Sequence, residues 1–117
     1  MCRDDNHFYI VDMRPDFLGG RYLTFWRPNN SNYAYPLSWA GKYTAGQIED
    51  GLLYYTVSNG RSLIRFAVPC HIADALAEPP EPGTIDGDAS PVVSNTRRNR
   101  RKLREAAFIP VGWRKHG

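Results

Sequence analysis

Six basic side chains fall within eight residues of this chain: Arg97, Arg98, Arg100, Arg101, Lys102 and Arg104. Side chains of this type at this density neutralise phosphates or carboxylates. Arginine adds bidentate contacts that lysine does not make. A block of like charge repels itself and rarely packs on its own domain without an acidic partner. The run therefore points outward, to nucleic acid, an acidic protein face or an anionic surface. Clamping about six phosphates would give a log–log salt slope near −4 to −5.

The rest of the chain has the opposite sign. Residues 1–93 carry 7 Lys+Arg against 11 Asp+Glu, a balance of −4, and residues 94–117 carry 8 against 1, a balance of +7. The globular part is thus unsuited to be the main phosphate surface. Within it, Tyr22 and Trp26, and Tyr33 and Tyr35, fall on alternate positions of two candidate strands and, with Trp39 just beyond, would make an aromatic face if those strands pair. Such a face is either the core of a small sheet or a platform for bases or a docking partner. Trp26 and Tyr35, with Arg27 beside them for phosphate or cation–π contact, join the six basic residues as candidate partner or nucleic-acid contacts.

No reaction emerges from the remaining reactive residues. Cys70 and His71 are adjacent, so on a helix or a strand they point apart; they read as a buried cysteine beside a surface histidine. The three His and two Cys show no metal-ligand spacing. Asp12, Asp16, Glu49 and Asp50 would make an acid–base set only if the fold joined them, and they read as solvated carboxylates. Gly19-Gly20 lacks the Lys-Ser/Thr of a phosphate loop, and no GxGxxG occurs. The expectation is a protein without catalytic residues, cofactor or metal. No apolar run approaches the roughly 20 residues that span a bilayer, and no secretory h-region is present, so a cytoplasmic setting without a membrane partner is expected.

The elements that must carry these residues are short. Residues 7–13, 21–26, 33–37 and 62–68 are rich in β-branched and aromatic residues and read as strands, the second and third forming a hairpin. Thr44 caps a helix over residues 45–53, weakened by Gly46 and Gly51. Pro69 starts a second helix over 70–76. Pro79, Pro80 and Pro82, with acids and glycines, mark a linker. Ser94 or Asn95 would cap a basic helix reaching Ala107, with Leu103 and Ala107 as a thin apolar stripe. The apolar patch Phe108–Trp113 either folds back or anchors in a partner. The reading is an α+β domain over residues 1–76, with a small antiparallel sheet of three or four strands and two short helices. A flexible Pro/Gly/acidic linker follows over 77–93, then a basic tail with a C-terminal helix over 94–117.

Residues 7–76 carry a further signal. Tyr9-Ile10-Val11-Asp12-Met13-Arg14, a glycine at 19 or 20, Phe25-Trp26-Arg27-Pro28-Asn29, Tyr33 to Leu37, Ala40-Gly41-Lys42-Tyr43-Thr44 and Arg65 to Pro69 follow one another. This order resembles a family of small uncharacterised phage and prophage proteins, with Met13 where that family carries Thr. The resemblance implies a phage origin and no particular activity. Residues 96–104 are similar to the arginine-rich RNA-binding helices of lambdoid phage antitermination proteins, which fold on an RNA hairpin.

These readings converge on a phage-encoded, non-enzymatic accessory protein in the cytoplasm of a bacterial host. It would bind and inhibit a host protein or nucleoprotein complex, by analogy with anti-CRISPR inhibitors. The alternatives are an RNA-binding regulator acting through the arginine-rich tail, or a phage structural or assembly protein with an arm toward packaged DNA.

Overall fold

The computed structural model describes residues 7–14, 20–30, 32–82, 91–110 and 112–113. Its centre is β1 (His7–Asp12), where Phe8, Tyr9, Ile10 and Val11 are all buried. A strand buried on both faces must be apolar at consecutive positions, and this one is. β6 (Leu63–Pro69) pairs along one edge of β1, antiparallel, with Tyr9 opposite Val68 and Asp12 opposite Arg65. The other edge is shared end to end. β2 (Thr24–Trp26) takes Val11 and Asp12, and β4 (Tyr43–Thr44) takes His7 and Phe8. β3 (Tyr33–Ala34) extends the sheet beyond β2, and β5 (Val57–Ser58) extends it beyond β6. The expected hairpin of the second and third strands is formed, with Trp26 opposite Tyr33.

Six antiparallel strands are thus seen among the described residues, against the three or four expected. β4 and β5 account for the difference. Two residues are too few for alternation to register in sequence, and pairing alone defines them.

Helices cover both faces. One carries α3 (Cys70–Leu76) and α4 (Arg97–Glu105), whose Cys70, Ala73 and Leu103 join Tyr9, Val11, Met13, Phe25, Phe66 and Val68 in one cluster. The other carries α1 (Ala45–Asp50) and α2 (Leu52–Tyr55), where Ile48 and Tyr55 pack with Phe8, Ile10, Trp26, Tyr43 and Ala67. The single helix expected over 45–53 is broken at Gly51, which ends α1 at φ −102°, ψ 49°. Thr44 caps α1 as expected, in a full capping box with Gln47.

The division at residues 77–93 differs from the expectation of a free linker. Glu78 and Val92 exchange two backbone hydrogen bonds of 2.9 Å, and Val92 and Val93 are fully buried. Leu23 N–H donates to Val93 O and Asn95 N–H to Arg21 O, so this stretch runs beside residues 21–23. The middle of the expected linker, 83–90, lies outside the described residues.

The tail also differs from a separate arm. α4 packs mainly against α3 and β6, and Leu103 is fully buried. One leucine, with Ala106 and Ala107 behind it, seats a helix whose other side chains are nearly all charged. Beyond α4 the chain folds back: Phe108 N–H donates to Ala67 O, its ring packs 4.6 Å from that of Phe8, and Trp113 Nε1–H donates to Thr56 O.

Candidate nucleic-acid interface

Thr96, not Ser94 or Asn95, caps α4: its Oγ1 accepts from Asn99 N–H at 3.1 Å. The other two are committed to tertiary contacts. Ser94 Oγ donates to Glu78, and Asn95 bonds Gly20 O through Nδ2 and Arg100 Nη1 through Oδ1. Proximity in sequence marked the cap region, and the competing partners selected the residue.

The fold sorts the six basic residues into two groups. Arg100 and Arg104 turn toward the protein. Arg100 Nη1 donates to Asn95 Oδ1 at 2.6 Å, and Arg104 Nε donates to the Leu63 carbonyl at 3.0 Å. Burial, and then the like charge of Arg100, lower the Arg104 pKa from its ordinary value. Arg97, Arg98, Arg101 and Lys102 are exposed. None of these four forms an ion pair among the described residues. Arg98, Arg101 and Lys102 share one helix face at i, i+3 and i+4. A concavity of about 430 Å³ runs along the neighbouring face, lined by Arg97, Arg100, Arg101, Arg104 and Glu105. Glu105 is its one acidic residue.

The helix dipole sharpens this arrangement. Arg97 and Arg98 occupy the first turn, which holds no acidic residue. Cations there oppose the positive end of the dipole by about 0.3–1 kcal/mol each, and an anion docked beside them relieves that cost. Because Leu103 anchors α4 in the core, this helix is part of the fold.

Trp26, Arg27 and Tyr35 lie elsewhere, on or beside the β2–β3 hairpin. Trp26 is buried, while Tyr35 is 41% exposed. The Arg27 guanidinium sits 5.3 Å from the centre of the exposed Trp39 ring. The expected aromatic face is therefore divided. Tyr22 and Trp26 belong to the interior, and Tyr33, Tyr35 and Trp39 remain at the surface.

The acid set resolves differently. Glu49 and Asp50 are exposed, and Asp16 lies outside the described residues. Asp12, expected to be solvated, is fully buried. Its oxygens accept from Arg14 N and Nε, Trp26 Nε1 and Arg65 Nε. Sequence did hold a signal for this. Asp12 follows Phe8 and Ile10 on one face of an apolar strand, where a carboxylate needs partners. Cys70 is buried in the core and His71 is exposed. Among the described residues no group of His, Cys, Asp and Glu has the arrangement of a metal site, and no helix is long and apolar enough to cross a membrane. Comparison with protein-family models, curated proteins and solved structures found no match.

Proposed function

We propose that this protein is a non-enzymatic phage accessory protein that binds and inhibits a nucleic-acid-containing host complex, with the exposed side of α4 contacting phosphates. One observation carries the reading. Four cations, Arg97, Arg98, Arg101 and Lys102, are exposed on a helix anchored by Leu103, with no ion pair among the described residues. A fixed array loses less side-chain and backbone freedom on binding than a disordered arm does. The phosphate chain of a nucleic acid offers repeated negative charge to such an array. The acidic balance of residues 1–93 leaves α4 as the face that such a complex would meet.

The test is recovery of host complexes on the full chain and on a variant with Arg97, Arg98, Arg101 and Lys102 all changed to Gln, with and without nuclease. The expected result is one nucleoprotein complex held by the full chain, released by nuclease and absent from the variant. Retention by the variant would overturn the reading. Preference for one free RNA over others at constant salt would replace it with an RNA-binding regulator.

A further inference from the structure

The opposite face of the sheet ends in a second constellation that makes no use of α4. Asp12, the last residue of β1, has both carboxylate oxygens occupied. Oδ1 accepts from Arg14 N at 3.2 Å and Arg14 Nε at 3.0 Å, and Oδ2 from Trp26 Nε1 at 3.1 Å and Arg65 Nε at 3.2 Å. The Arg65 guanidinium lies 4.9 Å from the Trp26 ring centre and 5.8 Å from that of Tyr54, and its Nη1 donates to Tyr54 O. Arg14 Nη2 donates to Tyr33 Oη at 2.9 Å. Above this network lies a concavity of about 270 Å³, lined by Arg14, Trp26, Asn30, Asn32, Tyr33, Tyr54 and Arg65.

The concavity is rich in donors and short of acceptors. Asn30 Oδ1 accepts from the Tyr55 hydroxyl at 2.9 Å, and Asn32 Oδ1 accepts from Tyr33 N–H at 3.0 Å. With both oxygens engaged, the Nδ2 groups are the hydrogen-bonding groups these two side chains have left. Arg65 Nη2 adds donors that have no partner among the described residues. Among the described residues, two guanidiniums meet one saturated carboxylate here. The walls are aromatic: the Tyr33 and Tyr54 rings stand at 74° and 72° to the Trp26 indole and are 39% and 50% exposed. Asn30 and Asn32 hold left-handed backbone, φ 57° and 100°, a region that asparagine enters more readily than other side chains.

Replacing a buried ion network by apolar side chains is commonly neutral or stabilising. The same face is filled by Phe8, Ile10 and Ala67 only a few residues away.

We infer that this concavity binds a small phosphomonoester carrying a planar ring, of the nucleoside monophosphate class. Arg14, Arg65 and the asparagine amides take the phosphate oxygens, a geometry that guanidinium suits. The ring stacks on Tyr54 or Tyr33. A concavity of about 270 Å³ is at the small end of ligand pockets, in keeping with a ligand of about one nucleotide.

Nitrogen-detected titration of the ¹⁵N-labelled full chain reads the site directly through Trp26 Nε1–H, with AMP, inorganic phosphate and adenosine as probes. AMP is expected to move that resonance saturably and to bind at least about tenfold more tightly than adenosine, the worth of one charge-assisted contact. Inorganic phosphate should move it more weakly. Arg14→Gln, at a side chain 36% exposed, should weaken AMP about tenfold without unfolding the chain. Tyr54→Leu should weaken AMP about fivefold and leave phosphate unchanged. Arg98→Gln with Arg101→Gln should leave both unchanged, which separates this site from α4. The inference is overturned if adenosine or phosphate binds as tightly as AMP, if millimolar AMP leaves the Trp26 resonance in place, or if Arg14→Gln binds AMP undiminished.

Discussion

Asp12 and Arg65 are cross-strand partners in the β1–β6 ladder, and their side chains meet with Arg65 Nε 3.2 Å from Asp12 Oδ2. The carboxylate is completely buried and the guanidinium side chain is 13% exposed. Each is the condition for burying the other. Asp12→Asn keeps the shape but leaves Arg65 without its counter-charge. The expected loss is about 3–5 kcal/mol, read as a lower denaturant midpoint at unchanged slope.

Leu103 seats α4. Leu103→Ala is expected to cost about 2–5 kcal/mol, and it should also weaken nucleic-acid binding although no cation is touched. Urea unfolding and a binding titration on the same variant check both. Unchanged binding would mean that the cations act independently of the helix seat.

The salt dependence follows from the division of the basic residues. Four exposed cations, with Arg100 and Arg104 drawn to the protein, predict a log–log slope of about −3 to −4, shallower than the slope for all six. Arg98→Gln with Arg101→Gln should reduce its magnitude by about 2. Fluorescence anisotropy of one labelled oligonucleotide across a salt series measures it.

Tyr9 gives an alkaline limb. Burial first, and then its 2.7 Å hydrogen bond to Asp74, raise its pKa above the ordinary 10.0. The folded state therefore holds this proton more tightly than the unfolded chain. The stability involved is fully present below pH 10 and falls as the pH rises above it. Tyr9→Phe should flatten that fall in a plot of unfolding free energy against pH.

Gly41 tests the junction between β2 and β4. A Cβ there would lie 2.7 Å from Pro28 Cα and 2.8 Å from Pro28 N, both backbone atoms that cannot rotate away. Gly41→Ala is expected to destabilise by about 1–3 kcal/mol in thermal unfolding.

Much of the fold was legible because it rests on local signals. The apolar run Phe8–Val11, the Thr44 cap and the Pro69 helix start each act within a few residues, and the structure bears each of them out. The fate of Val92 and Leu103 was not legible. Single apolar residues among prolines or arginines carry no periodicity, and only their packing against β6, α3 and residues 21–23 reveals them. The reading of Asp12 as a solvated carboxylate failed for the same reason. Its partners Arg65 and Trp26 lie 53 and 14 residues away and meet it only through strand register.

Sequence by itself determined the α+β class, the central apolar strand and the density of cations over residues 97–104, because composition and short-range sterics set these. Tertiary structure alone decided which cations face outward, that α4 belongs to the core, and that a buried carboxylate organises two arginines beneath an aromatic concavity. Those outcomes depend on burial and on pairing between distant strands, where desolvation and hydrogen bonding act on residues that sequence order keeps apart.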